Sequence, residues 1–194
     1  MGRVRQKSYD ILKTLYNINN ATKAFIIDID LNLYVDIYNE WDRAPLKKRG
    51  IDPELCYFLE ECADDIPLKY PIELCFHLPK AIENSEKEKI IKTSFTNFFN
   101  FTLYLIKKEH ERSNSSIIFN FAIGIGFITV AYYFLNYLSK LHFIVNILSE
   151  GAFIGGWVFL WEALYGLFFT NRETSRKKKI YERFKFADLV FSYY

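Results

Sequence analysis

Two long apolar stretches in the C-terminal half constrain this chain more than any other feature. Residues 115–138 contain no charged side chain, and residues 145–169 contain only two. Each stretch exceeds the roughly 20 residues that an α-helix needs to cross a ~30 Å hydrocarbon core. Since only a few residues separate them, we expect an antiparallel hairpin of two transmembrane helices.

The remainder of the chain argues against burying these stretches inside a soluble core. Its first 112 residues are rich in Lys, Glu and Asp, and the chain has only 194 residues in all. Too little apolar surface is left to cover two such helices. The predicted fold class is therefore an α+β membrane protein. Residues 1–110 form a small cytosolic α/β domain, residues 113–170 the transmembrane hairpin, and residues 171–194 a basic cytosolic tail, expected to be helical.

Basic residues flank the hairpin and are scarce within it. Lys107, Lys108 and Arg112 precede the first helix, whereas Lys140 is the one basic side chain between the helices apart from His142. Because Lys and Arg are retained on the cytoplasmic side, both termini are predicted to be cytoplasmic. A basic cluster after the second helix serves either to attract anionic lipid headgroups, at about 1 kcal/mol per residue, or only to stop transfer. The cluster comprises Arg172, Arg176, Lys177, Lys178 and Lys179.

The second apolar stretch carries two acidic side chains, Glu150 and Glu162. An ionisable group inside a membrane costs about 2.5–3.5 kcal/mol on insertion scales, so its presence favours a functional role. Folding the hairpin at its loop places Glu162 level with Asn120, and Glu150 nearly level with Asn136. The carboxyl groups would line a polar pathway in an oligomer, bond amides of a neighbouring helix, or, for Glu150, reach water at the outer interface.

Small residues recur along both helices at a spacing that lets helix backbones approach closely. Gly151 and Gly155 have this spacing on the second helix, and Ala122 and Gly126 have it on the first. Part of this surface would seal the hairpin, but four glycines in one helix exceed what a single partner needs. We therefore predict self-association. The other predicted packing residues are Gly156, Gly166, Trp157 and Trp161.

The N-terminal region has the patterning of a small α/β unit. Apolar and polar residues alternate over residues 25–37 and again over residues 71–78, which predicts two strands. Asp52 and Pro53 have the residue types of a helix N-cap and first position. Residues 83–111 have the period of an amphipathic helix, so the predicted order is strand, helix, strand, helix.

One face of the first predicted strand carries acidic residues. Asp28, Asp30 and Asp36 lie on that face, and Trp41 follows in the next turn. These four residues are weak candidates for a surface that docks a partner. Carboxylates also suit a divalent cation, but acidic side chains on the solvent face of a strand are far commoner without one.

No catalytic signature is present, and we predict neither enzymatic activity nor a cofactor or metal. Cys75 and His77, even with Cys56 and Cys62, do not have the spacing of a zinc site. The chain has no phosphate-binding loop, nucleophile elbow, zinc-protease motif or dinucleotide fingerprint. Its three cysteines give no disulfide framework. Residues 24–80 lack a basic aromatic surface, so direct nucleic-acid binding is not supported.

Two segments resemble a family of short bacterial two-helix membrane proteins. They are GIDPELCYFLEECADDIPLKYPIELCFHLP, over residues 50–79, and SEGAFIGGWVFL, over residues 149–160. Members are similar to small membrane effectors of bacterial anti-phage systems, including the one paired with a nucleotidyltransferase in Hailong-type defence. The resemblance implies a pore or membrane-disrupting effector in the bacterial inner membrane. It also implies a nucleotidyltransferase, another defence-system partner or the product of such an enzyme as a partner.

The leading functional prediction is a homo-oligomeric effector that forms or gates an ion-conducting pore. Its partners are membrane lipid and further copies of the chain, and its cytosolic domain holds it inactive. The alternative is a non-conducting, membrane-anchored binding module whose acidic strand face docks a partner. Replacing the hairpin with an unrelated anchor would distinguish the two, since only the binding module would remain functional.

Overall fold

The computed structural model describes residues 2–138 and 143–194, with side chains for 9–46, 48–136 and 143–194. The chain divides into two compact units. The α/β unit comprises Met1–Tyr104 together with Lys178–Tyr194, and the hairpin unit comprises Leu105–Lys177. The C-terminal residues therefore belong to the same unit as the N-terminal ones.

A four-stranded sheet forms the centre of the α/β unit. Its strands, in chain order and in spatial order, are β1 (Asn17–Ile18), β2 (Phe25–Asp30), β3 (Ile72–Leu78) and β4 (Asp188–Tyr193). β1 is antiparallel to β2, whereas β2, β3 and β4 are mutually parallel. Parallel neighbours need long crossover connections, and the chain supplies one between β2 and β3 and a much longer one between β3 and β4.

The described residues form five α-helices. They are α1 (Gly2–Leu15), α2 (Pro53–Asp65), α3 (Ser85–Tyr133), α4 (Phe143–Tyr165) and α5 (Asn171–Phe186). Short π-helical segments follow α3 at Phe134–Leu138 and α4 at Gly166–Thr170, and 3₁₀ turns cover Tyr34–Ile37, Leu46–Lys48 and Lys80–Ile82. Asp52 caps α2 as predicted: its Oδ1 accepts from the backbone N–H groups of Glu54 (2.8 Å) and Leu55 (3.2 Å).

Aromatic rings from α3 and α5 build the core on one face of the sheet. Phe76 of β3 meets Phe95 of α3 edge-on, with ring centroids 5.6 Å apart. Phe99, one turn further along α3, stacks on Phe184 of α5 at 5.4 Å. Because these rings are almost fully buried, α5 contributes to the hydrophobic core of the α/β unit.

The first predicted strand is shorter than its alternating pattern suggested. β2 ends at Asp30, and the predicted continuation to residue 37 is wrong, because Tyr34–Ile37 is a 3₁₀ turn. Tyr34 and Ile37 are buried while Leu33 and Val35 are half exposed, so the apolar residues here follow a spacing of three. The Asp36 carboxylate holds this turn by accepting from the Leu33 N–H at 2.8 Å.

The predicted C-terminal tail also differs from the structure. Its helix forms as α5, but the chain then becomes strand β4, which pairs with β3 along its whole length. The Tyr194 carbonyl accepts from the Lys80 N–H at 2.8 Å and so continues this connection past the strand. The whole hairpin unit is therefore an insertion in the connection between two adjacent parallel strands.

The hairpin unit contains the predicted apolar stretches. Two helical spans, Ser85–Asn136 and Phe143–Phe186, are long and apolar enough to cross a membrane by length and composition. The predicted amphipathic helix over residues 83–111 is the first part of α3, and is continuous with the first apolar stretch. The predicted loop with Lys140 lies outside the described residues.

Candidate functional site

Glycines bring the two helices of the hairpin into close contact. A Cβ on Gly124 would lie 2.9 Å from the Gly156 carbonyl oxygen, and a Cβ on Gly156 would lie 2.9 Å from that of Gly124. A Cβ on Gly166 would lie 2.8 Å from Ile117. Gly156 and Gly166 therefore seal the hairpin itself, and Gly124, which sequence reasoning did not single out, supplies the matching surface on α3.

Gly126, Gly151 and Ala122 lie on open surfaces of the hairpin unit, whereas Gly155 is half-buried beside Phe127 of α3. Added Cβ atoms on Gly151 and Gly126 would meet nothing within 4 Å, and one on Gly155 would meet only the Phe127 ring, at 3.8 Å. Ala122 is also exposed. Exposed small residues of this kind let helix backbones approach closely, and helices in membranes associate at such surfaces.

On α4, Gly151 and Gly155 share a side with one of the two acidic residues. Successive residues turn by about 100° around a helix, so Gly151, Gly155 and Glu162, at spacings of four and seven, form one stripe. We call these three residues the outer stripe. Glu162 is exposed in the hairpin, and so an approaching helix that packs on the two glycines would also cover this carboxyl group.

Glu150 lies on a different side of α4. Twelve residues separate it from Glu162, which places the two carboxyl groups about 120° apart around the helix. Glu150 shares its side with Trp157 and Trp161, whose side chains are 53% and 70% exposed. Among the described residues, neither the Glu150 nor the Glu162 carboxyl group has a hydrogen-bond or ion-pair partner.

The predicted amide partners do not reach the carboxyl groups. Asn136 is exposed and its Nδ2 donates to the Tyr132 carbonyl of its own helix at 2.9 Å. Asn120 is half-buried, without a hydrogen bond to either glutamate among the described side chains. A different pair of amides meets across the hairpin: Asn171 Nδ2 donates to Asn114 Oδ1 at 2.9 Å. The helices pair at nearly the depth expected, but their rotation turns the carboxyl groups outward.

The predicted lipid-headgroup residues all lie on the first turns of α5 and are exposed: Arg172, Arg176, Lys177, Lys178 and Lys179. Lys178 forms an i,i+4 ion pair with Glu182 at 3.7 Å. Such an exposed pair contributes little to stability, which leaves the ammonium group available to an anion. Lys179 lines a cavity of about 390 Å³ in the α/β unit together with Arg183.

The face of the sheet opposite the aromatic core carries a polar cluster. The parallel register sets Asp28 of β2 opposite Cys75 of β3, and Asp30 opposite His77. His77 Nε2 lies 2.8 Å from Asp28 Oδ1. One possible ligand atom from each of Asp28, Cys75 and His77 lies within 4.8 Å of the other two. We call these three residues the β2–β3 cluster.

Neighbouring residues orient the cluster and give it a negative surrounding. Asn17 Nδ2 of β1 donates to the other carboxylate oxygen of Asp28 at 3.0 Å. Burial raises the pKa of the Cys75 thiol, and the carboxylates of Asp28 and Glu73 raise this pKa further. The Asp28 and Glu73 carboxylates, unlike burial, also attract a positively charged ligand.

The predicted docking surface does not remain together in the structure. Asp28 and Asp30 are exposed on the strand, whereas Asp36 belongs to the 3₁₀ turn that its own carboxylate caps. Trp41 lies in the following loop with 92% of its side chain exposed. The alternating pattern grouped Asp36 with the strand. Cys75 and His77 were considered as zinc ligands and rejected on their spacing along the chain, because that spacing does not report the pairing of β2 with β3.

No protein-family model matches the sequence, and neither curated proteins nor solved structures gave a significant match. Support for the candidate sites of this chain therefore comes from its own residues. Two arrangements form them: the outer stripe of α4 and the β2–β3 cluster.

Proposed function

We propose that this chain is an integral membrane protein whose hairpin self-associates through the outer stripe and forms or gates an ion-conducting pore. The observation that carries the proposal is that the glycines fall into two groups: one group lies in the contact between α3 and α4, and the other lies on the side of α4 that carries Glu162. Gly124 and Gly156 pack against each other within the hairpin, whereas Gly151 is exposed and Gly155 is half-buried on the side of α4 that carries Glu162. A stripe with two glycines and an exposed carboxyl group is costly facing lipid and favourable between helices.

Insertion into a bilayer is supported by the apolar side chains that the hairpin leaves uncovered. Many large apolar side chains of the hairpin unit are more than half exposed, among them Phe119, Ile154 and Phe168. Apolar surface this extensive is unfavourable in water and is satisfied by lipid. The basic residues on both outer ends of the hairpin favour cytoplasmic termini, and the resemblance to short bacterial membrane proteins favours the bacterial inner membrane.

Conduction requires more than one copy, because two helices cannot enclose a water path. Association of several copies through the outer stripe would bring their Glu162 side chains to a common interface. A ring of carboxylates of this kind selects cations. Glu150 lies on another side of α4 and would remain outside this ring.

The α/β unit is in a position to control the hairpin through chain connectivity. Both chain connections between the hairpin unit and the α/β unit are helical, because α3 and α5 each have residues in both units. Within the α/β unit, both helices pack on the sheet. A ligand or partner that altered this packing would therefore affect both helical connections to the hairpin at once. By resemblance, the activating partner is a nucleotidyltransferase or other defence-system partner, or such an enzyme's product, and the pore is the effector of an anti-phage system.

The assembly is tested by measuring the mass of the full chain in detergent and in lipid nanodiscs. We expect an oligomer for the natural chain and dissociation for Gly151→Leu, while Gly126→Leu, the same change at an equally open position on α3, leaves the mass unchanged. A monomeric natural chain overturns the pore. Dissociation by Gly126→Leu alone would move the interface to α3 and refute the role of the outer stripe.

Conduction is tested in liposomes and in cells with a potential-sensitive dye. Glu162→Gln should preserve the oligomer and reduce cation conductance, whereas Glu150→Gln should alter conductance much less. Equal effects of the two changes would refute the Glu162 ring. Full function with an unrelated transmembrane anchor in place of the hairpin would establish the non-conducting binding module instead.

A further inference from the structure

We propose that the β2–β3 cluster binds a zinc ion, through the Asp28 carboxylate, the Cys75 thiolate and a ring nitrogen of His77. This site lies in the α/β unit and does not depend on the pore. Its two strands are neighbours in a hydrogen-bonded parallel sheet, so the backbone positions of the three ligands are fixed by the fold.

The donor atoms of the β2–β3 cluster are near enough to one another to share one zinc ion. With Zn–S of about 2.3 Å and Zn–N and Zn–O of about 2.1 Å, neighbouring ligand atoms lie about 3.4–3.6 Å apart. In the structure one donor from each residue lies within 4.8 Å of the others, and His77 Nε2 is already 2.8 Å from Asp28 Oδ1. Ligation therefore requires the His77 and Asp28 donors to move slightly apart while the Cys75 sulfur stays within reach, which side-chain rotation can supply.

The mixed donor set selects among metals. Magnesium and calcium prefer oxygen ligands, and the cluster offers a carboxylate from one residue only. A thiolate, an imidazole and a carboxylate together suit zinc. His77 and Asp28 are 34% and 40% exposed, so ions can enter from solvent, and the fourth coordination position is open to water.

The surroundings of the cluster favour a bound cation in two ways. Asn17 donates to the Asp28 oxygen that does not face His77, which is the kind of outer hydrogen bond that orients a metal ligand. Asp30 lies on the same face opposite His77, and the buried Glu73 lies two residues before Cys75 on β3. Their carboxylates add negative charge, which stabilises a divalent ion.

The test uses the purified full chain in detergent after treatment with a chelator. Zinc affinity and stoichiometry are measured by competition with a chromophoric chelator, and Co²⁺ is used as a spectroscopic probe of the ligands. We expect one Zn²⁺ per chain and a thiolate-to-cobalt charge-transfer band. Cys75→Ser should abolish this band and weaken zinc binding by at least about 100-fold.

Further variants separate ligation from nonspecific binding. His77→Gln and Asp28→Asn should each weaken zinc binding by more than tenfold, and Asn17→Ala, which removes only the outer hydrogen bond, by about tenfold. Cys56→Ser is the matched thiol control and should leave the affinity unchanged. A cobalt complex without a thiolate band, or zinc binding that is insensitive to Cys75→Ser or equally sensitive to Cys56→Ser, would overturn the site. Circular dichroism of each variant verifies that it is folded.

Discussion

Replacing Phe184 by alanine tests whether the C-terminal segment is part of the α/β core. The Phe184 side chain is 2% exposed and stacks on Phe99 at 5.4 Å. Truncating a buried Phe to Ala costs about 3–5 kcal/mol, a large part of the 5–15 kcal/mol that stabilises a typical domain. Phe186, two residues later on the same helix and 77% exposed, is the matched control, and its replacement by alanine should have a small effect.

Alkylation of the buried Cys62 provides the assay, because its thiol becomes reactive when the α/β unit opens. Its extent is followed in the full chain in detergent as a function of urea concentration. With a urea dependence of about 1–3 kcal/mol per M, Phe184→Ala should lower the midpoint by at least about 1 M. A tail independent of the α/β unit would give the same midpoint for both variants, and that result would refute the contribution of α5 to the core.

Three further predictions concern the hairpin, a thiol and a helix cap. Gly156→Ala should separate α3 and α4 and accelerate proteolysis of the hairpin, because its Cβ would lie 2.9 Å from a backbone oxygen, whereas Gly126→Ala, with nothing within 4 Å, should not. Burial, and then the carboxylates of Glu60 and Asp52, raise the pKa of the Cys56 thiol to about 12. Alkylation of Cys56 in the folded chain should therefore be slow at pH 7, and its rate should rise about tenfold per pH unit. A plateau of the rate near pH 9 would contradict this. Asp52→Ala should destabilise the α/β unit by about 1 kcal/mol in the same urea assay, because two N–H groups of α2 lose their acceptor.

Local signals predicted local structure well. The N-cap at Asp52 and the second strand, observed as Ile72–Leu78, follow from residue types within a few positions of each other. The apolar stretches likewise predicted two long helices, because length and composition are sufficient for that inference. The depth at which these helices pair was also close to expectation, since a short loop fixes it.

Features that depend on distant residues were not predictable in this way. The sequence of β4, DLVFSY, is short, and its partner β3 lies more than a hundred residues earlier in the chain. No local pattern encodes a parallel pairing of this kind, since the register comes from a core formed by several elements. The same reason hid the β2–β3 cluster. Helix rotation was likewise decided by glycine contacts on α3 and α4, which turned Glu162 away from Asn120.

The position of β4 predicts that the N-terminal domain inferred from sequence cannot fold by itself. A fragment of residues 1–110 contains β1, β2 and β3 but lacks α5 and β4. β3 would then be an edge strand with unpaired backbone groups, and its apolar face would lose the cover that Phe184 provides. An exposed edge strand of this kind favours aggregation. This fragment should be insoluble or unfolded by circular dichroism.

A fragment that omits only the membrane hairpin should behave differently. Asn114 and Asn171 lie within hydrogen-bonding distance of each other, 2.9 Å between Oδ1 and Nδ2, so a short Gly/Ser linker can join residues 1–114 to residues 171–194. The joined fragment restores β4 and α5 and should be soluble, with cooperative unfolding in urea. Since both fragments share residues 1–110, a difference between them is due to the C-terminal segment. Cooperative folding of residues 1–110 alone would show that β3 does not need β4, and that the α/β unit is complete before the hairpin begins.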